Sequence, residues 1–238
     1  MAAVNAGLAD GPRAPSAPVS AEAVTERLDY VRSKIAERGR DPDGVRIVAV
    51  TKGFGPEAVI AARAAGLDDV GENYAQELLS KSAASPAGTR WHFLGEIQRN
   101  KVARLAEVVS VWHSIDREAE AEAVATAEPG VEAMIQVNVT GKASRPGCTP
   151  EEVDDLVARC RRFTLDLSGL MAVGPESDPE GTRTWFRWLA SKADVLGLKE
   201  LSMGMSNDFE IAVEEGATTI RLGTTLFGPR PGPAAVRR

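Results

Sequence analysis

Eight short apolar or β-branched runs recur along this chain with a helical stretch after nearly every one, a pattern that only a few parallel-sheet architectures can satisfy. The runs are residues 46–51, 69–72, 91–95, 109–115, 133–139, 165–172, 200–203 and 219–222. Amphipathic segments lie between them at 56–65, 75–82, 100–107, 118–127, 151–161, 182–196 and 207–215. Strands joined by crossover helices run parallel, and parallel sheets are covered on both faces. Ile47-Val48-Ala49-Val50 accordingly shows no polar alternation. Eight such units in roughly 180 residues predict an α/β fold closed into a single (β/α)8 TIM barrel. An open doubly wound sheet is the alternative. It is weakened because Thr51-Lys52-Gly53-Phe54-Gly55 follows the first run, where a GxGxxG turn would be needed.

Ahead of the first run, Val24, Leu28, Val31 and Ile35 form one apolar face, so an additional N-terminal helix is predicted, ended by Gly39 and Pro42. Residues 1–20 are rich in Ala, Gly, Pro and Ser and lack the basic start and apolar centre of a secretory leader. They read as a disordered arm, residues 21–228 as one barrel domain, and residues 229–238 as a disordered tail.

Net charge is −6, with no basic block standing apart from acidic residues, so the electrostatic footprint of a nucleic-acid binder is absent. Charged residues interrupt every apolar run well short of a membrane span. The two cysteines, Cys148 and Cys160, match no CxxC pair and no zinc spacing with His92 and His113, so no metal is expected. A reducing, cytoplasmic setting follows as the expectation.

Chemistry on this fold gathers at the C-terminal ends of the strands. Lys52 closes the first run, where a lysine is either a solvated full stop or an amine that forms a Schiff base with an aldehyde or ketone. Glu72 and Asn73 end the second run; His92, Asn138, Met171 and residues 202–206 are positioned likewise on later ones. Loops after strands seven and eight commonly hold a phosphate. There Ser206 or Asn207 can cap a helix, Gly223 admits close backbone approach, and Thr224 adds a hydroxyl donor. Taken singly, Ser206 is an N-cap and Gly223 a turn residue. Together with Lys52 they point to a phosphorylated carbonyl compound, either pyridoxal 5′-phosphate or a phosphosugar of the class I aldolase type. Arg221 lies two residues before Gly223 and faces the same way, from where a guanidinium can donate to a pyridine nitrogen.

Val50-Thr51-Lys52, Gly71-Glu72-Asn73-Tyr74-Ala75-Gln76-Glu77, Trp91-His92-Phe93-Leu94-Gly95, Gln98-Arg99-Asn100-Lys101, Gln136-Val137-Asn138, Gly169-Leu170-Met171, Leu201-Ser202-Met203-Gly204-Met205-Ser206 and the run from Arg221 to Gly228 occur in that order. Over residues 22–230 this set resembles the pyridoxal phosphate homeostasis protein family (YggS/PROSC type). The resemblance implies a fold-type III barrel like the N-terminal domain of alanine racemase, binding pyridoxal phosphate without established turnover. It implies a covalent Schiff base on Lys52, with the phosphate on Ser206, Gly223 and Thr224. Arg221 would face the ring nitrogen, Asn73 would line the ring's edge, and His92 and Met205 would be pocket neighbours. Three positions depart from the family's usual pattern: Glu96 in place of proline, Lys142 in place of an acidic residue, and Asn207 in place of aspartate.

An arginine cannot accept the proton that would activate the ring as an electron sink. Racemases of this type compensate with acid and base groups on both faces, one brought by a second domain or subunit, and this chain ends soon after the eighth run. The expected function is therefore non-catalytic: holding pyridoxal phosphate for vitamin B6 homeostasis, with effects on amino-acid and keto-acid metabolism. A monomer is expected, with pyridoxal-phosphate-dependent enzymes as recipients. The alternatives are an amino-acid racemase with His92 or Tyr74 as second proton shuttle, and a class I aldolase with Glu72 as acid and base.

Overall fold

Eight parallel strands close on themselves in chain order in the computed structural model, which describes residues 19–230. They are β1 (Arg46–Val50), β2 (Asp69–Glu72), β3 (Arg90–Phe93), β4 (Val109–Ile115), β5 (Glu132–Val137), β6 (Asp166–Ala172), β7 (Glu200–Ser202) and β8 (Thr219–Leu222). The helices are α1 (Ala21–Glu37), α2 (Pro56–Ala64), α3 (Ala75–Ser82), α4 (Arg99–Leu105), α5 (Glu118–Ala127), α6 (Val153–Cys160), α7 (Pro179–Val195), α8 (Phe209–Glu214) and α9 (Thr224–Phe227). The predicted (β/α)8 barrel and its extra N-terminal helix are both present. Two short elements went unread: a 3-10 turn at Pro42–Gly44, and α9. Neither is long enough to carry a period.

Most of the arm and tail, residues 1–18 and 231–238, lies outside the described residues. The arm's last residue, Ser20, caps α1, its hydroxyl accepting from the Ala23 N–H at 3.2 Å. Val24, Leu28, Val31 and Ile35 are buried on the inner face of that helix, as their spacing requires.

Strand side chains alternate between two different environments. Outward-facing residues such as Trp91, Phe93, Trp112 and Ile135 meet the helices and belong to the main apolar core. Phe93 and Trp112 pack edge to face at 5.5 Å, and burying each such side chain contributes about 1.5–3 kcal/mol. Inside the barrel the buried apolar cluster is only Val111, Met134 and Met171, with Val173 packed against it. Thr219, His92, His113, Ser202 and Arg221 are buried there as well. Barrel interiors are normally filled by branched apolar layers, so this polar filling is a departure.

Cys148 and Cys160 are free and buried, and burial pushes their thiols up to about 12 and about 11. Among the described residues no cluster of three or more His, Cys, Asp or Glu is placed to hold a metal ion, and no helix is long and apolar enough to cross a membrane.

Candidate functional site

A cavity of about 420 Å³ opens at the C-terminal ends of the strands, a size that suits a small-molecule ligand. Lys52, Asn73, Met205, Ser206, Arg221, Gly223 and Thr224 all line it.

Lys52 reaches the cavity from the turn after β1, and that turn is held on both sides. The Thr51 carbonyl accepts from Lys81 Nζ at 2.9 Å, and the Gly53 N–H donates to Glu77 at 3.0 Å. Lys81 is itself buried on α3, where it also meets Glu77 at 2.9 Å and the fully buried Glu72 at 2.5 Å. Thr51 Oγ1 completes the cluster by donating to Glu72 at 2.7 Å. The acidic residues in the Gly71–Glu77 run thus serve the lysine turn from behind. Gly53 has φ +76°, a left-handed conformation that favours glycine, and a Cβ there would sit 3.2 Å from Arg230 Cδ. Gly95 meets a harder limit, since its Cβ would fall 1.8 Å from the Asn73 carbonyl oxygen. This contact sets the distance between the end of β3 and the residue that edges the cavity.

Burial lowers the Lys52 pKa, and the Arg230 and Arg221 cations lower it further, against an opposing pull from Glu72. A lysine in that state offers a larger fraction of free amine at neutral pH. Arg221 is buried, and burial pushes its guanidinium down to about 10, which still leaves it charged. It donates from Nη1 to Ser202 at 2.7 Å and from Nη2 to the Ala172 carbonyl at 2.9 Å. Arg221 also lines the cavity.

Neither Ser206 nor Asn207 is the cap of the following helix. Asp208 is the N-cap of α8, while Ser206 Oγ accepts from the Thr225 N–H at 3.1 Å. That bond fastens the β7–α8 loop to the β8–α9 turn, so Ser206, Gly223 and Thr224 form one continuous wall. Phe54 and Phe227, centroids 5.3 Å apart, fasten the lysine turn to α9.

The opposite wall comes from the β5–α6 loop. Asn138 organises it, donating to the Lys142 and Arg145 carbonyls at 2.9 and 3.0 Å and accepting from the Thr140 N–H at 3.1 Å. Arg145 then bridges to Glu176 on the next loop. Cavity-lining Arg145, Glu176 and Gln136 were not singled out from the sequence, and Arg230 was assigned to the tail. Arg145, Glu176 and Arg230 stand on loops or beyond the last strand and follow no strand parity, so no periodic signal marks them, whereas Gln136 is a polar residue at inward parity on β5 and carried a usable one.

His92 is the one expected pocket residue that does not line the cavity. It is fully buried in the barrel below, with Nε2 on Asp69 at 2.7 Å and Nδ1 on His113 at 2.8 Å. Its position on β3 turns it inward two residues before Leu94, the residue of that segment that reaches the cavity. Burial is the main cause lowering both imidazole pKa values, His113 well below the ordinary range. These are the chain's only two histidines. The unfolded chain protonates them below about pH 6.5, whereas burial in the folded protein disfavours that protonation. The unfolded state therefore binds more protons on acidification, and stability falls with pH. Urea unfolding at about pH 5.5 should give a free energy about 1.4 kcal/mol lower than at about pH 7.5 if one imidazole stays neutral, and about 2.7 kcal/mol lower if both do. A flat profile over that interval would mean that the native imidazoles titrate normally.

The model of the family described as "Alanine racemase, N-terminal domain" matches residues 19–231. A pyridoxal phosphate homeostasis protein from Pseudomonas aeruginosa is 41% identical over 221 residues, covering 87% of this chain and 96% of the relative. The chain belongs to the pyridoxal phosphate homeostasis protein family. Among solved structures, that of PipY from Synechococcus elongatus with PLP bound matches with a TM-score of 0.74 at 32% identity, covering 86% of this chain and 100% of PipY. Alanine racemase from Bacillus anthracis shares the fold, with a TM-score of 0.69 at 16% identity, and this chain covers 58% of it. In this member of the homeostasis protein family, seven of the eight residues named from sequence meet at one mouth.

Proposed function

We propose that this protein is a cytoplasmic carrier that holds pyridoxal phosphate reversibly, through a covalent bond to Lys52, and releases it to pyridoxal-phosphate-dependent enzymes. The observation that carries this reading is the convergence of Lys52, Arg221 and the Ser206–Gly223–Thr224 wall on one cavity. The PLP-bound PipY structure and the names of the relatives support it. So does the buried Asn73 Oδ1 at the cavity edge, an acceptor with no partner among the described residues.

When bound, pyridoxal phosphate supplies an aldehyde for reversible condensation with an amine and a conjugated ring that absorbs in the near-visible. Lys52 Nζ provides the amine, helped by its lowered pKa. Ser206, Gly223 and Thr224 would take the phosphate, and Asn73 and Met205 would flank the ring. Arg221 would donate to the ring nitrogen and, being a cation without an acceptor, leave that nitrogen unprotonated. A ring in that state withdraws electrons weakly, which favours custody over catalysis.

The geometry turns the residues that other readings need away from Lys52. Glu72, the candidate acid and base of an aldolase, is engaged by Lys81 and Thr51 outside the barrel wall. Tyr74 is 60% exposed and does not line the cavity, and His92 lies beneath it. A monomer suffices for this reading, because every group it uses comes from one chain. Effects on amino-acid and keto-acid metabolism would follow from the supply of the cofactor.

Titrating the purified protein with pyridoxal phosphate should produce a saturable near-visible band, with no racemisation of common amino acids by chiral chromatography. Sustained turnover of one amino acid would replace the carrier reading with the racemase one.

A further inference from the structure

Asp69, the first residue of β2, sits at the opposite end of the barrel from the cavity, yet an unbroken hydrogen-bonded column joins it to Arg221. Asp69 Oδ1 is 2.7 Å from His92 Nε2, and His92 Nδ1 is 2.8 Å from His113 Nε2. His113 Nδ1 is 2.9 Å from Ser202 Oγ, which lies 2.7 Å from Arg221 Nη1. Five strands, β2, β3, β4, β7 and β8, each contribute one inward side chain.

The two ends dictate the direction of every hydrogen between them. A guanidinium only donates, and an ionised carboxylate only accepts. Burial pushes the Asp69 carboxyl up, but its contact with His92 and the nearby Arg90 and Arg46 charges outweigh that and keep it ionised. Those arginines are in turn held by Glu132 on β5. With both imidazoles neutral, His92 must carry its hydrogen on Nε2 to meet the carboxylate, which makes its Nδ1 an acceptor. His113 then donates from Nε2 and accepts at Nδ1 from the Ser202 hydroxyl. Ser202 in turn presents its lone pairs to Arg221. The reverse orientation would set an imidazole lone pair against the Asp69 carboxylate.

We propose that Asp69 is a positioning residue for Arg221, its carboxylate setting both histidine tautomers and the Ser202 rotor so that the guanidinium is held in one orientation toward the cofactor's ring nitrogen. The effect on the cofactor rests on the carrier reading above, whereas the column is a property of the protein alone. An apolar layer would fill the barrel at less desolvation cost. The polar column instead runs in line with Arg221, which among the described residues is the one buried cation that lines the cavity.

Nitrogen-15 NMR of the full-length protein labelled at histidine, without cofactor, reads the column directly, since only two rings are present. Both should be neutral Nε2–H tautomers at neutral pH, and Asp69→Asn should populate the Nδ1–H form of His92. An Nδ1–H tautomer or an imidazolium in the wild type, or an unchanged spectrum in Asp69→Asn, would overturn the assignment. On pyridoxal phosphate titration, Asp69→Asn and Ser202→Ala should each weaken binding about threefold to thirtyfold and shift the near-visible band. Ser202→Thr, which keeps the hydroxyl, should restore both. Unchanged affinity and band in Ser202→Ala would refute the positioning role even with the tautomers as assigned. Failure of the wild type to take up pyridoxal phosphate would overturn the carrier reading and the cofactor half of this proposal, while the NMR result judges the column separately.

Discussion

Lys52→Ala is expected to abolish the near-visible band of the pyridoxal-phosphate-treated protein and to raise the dissociation constant about a hundredfold, equivalent to roughly 2.7 kcal/mol. The side chain ends in the cavity, and its amine is the group there whose free base is favoured by burial and by two neighbouring cations. Alanine removes the amine and leaves the proposed phosphate wall and Arg221 in place, so weak non-covalent binding should survive. Absorbance titration measures the first effect and equilibrium dialysis the second. The fold should be unaffected, because the turn is anchored through the Thr51 carbonyl and the Gly53 N–H rather than through the Lys52 side chain. A variant that keeps the band, with the cofactor trapped by borohydride on a different lysine, would remove Lys52 from its proposed role.

The largest loss of stability is expected from Lys81→Met. Lys81 Nζ binds Glu72, Glu77 and the Thr51 carbonyl, and both Lys81 and Glu72 are buried. Methionine conserves much of the volume and deletes the charge, which leaves Glu72 uncompensated. Breaking a buried pair from one side costs about 3–5 kcal/mol. The lower end of that range is expected here, because burial already raises the Glu72 pKa and protonation offers it partial relief. Urea unfolding of Lys81→Met and of Lys81→Met with Glu72→Gln separates the two contributions. The double variant should recover part of the loss, since a neutral amide no longer needs a counter-ion. A loss under about 1 kcal/mol in the single variant would show that the pair is solvated, against its burial. The single variant should also bind pyridoxal phosphate more weakly, because the turn bearing Lys52 loses one of its two anchors.

The strands were legible because burial on both faces leaves uninterrupted apolar runs, and β2, β4 and β8 begin and end where those runs do. The cavity lining was legible where it coincided with strand ends. Lys52, Asn73, Arg221 and Gly223 stand immediately at or after a run, so the fold class alone places them at the mouth. Arg145, Glu176 and Arg230 stand on loops or beyond the last strand, where no period ties a residue to a direction. His92 shows the opposite limit. Its strand was read correctly, but the depth of its side chain along the barrel axis depends on the stagger between strands. Asp69, His113 and Ser202 carried a usable signal, since each is a polar residue at inward parity in a strand buried on both faces.

Order, type and spacing of elements are local properties, set by apolar periodicity and by the residues that end each helix, and the chain specifies them without reference to its fold. Parallel pairing and closure follow from eight crossover units, which cannot cover both faces of the sheet in many other ways. The tertiary structure alone decided which polar groups meet. Asp69 and Ser202, more than a hundred residues apart, enter one hydrogen-bonded column because strand stagger brings them to successive levels of the same interior. Lys81 reaches the back of the Lys52 turn because α3 packs beside β2. Hydrogen bonds act over about 3 Å, and contacts that short between distant residues exist only once the barrel has closed.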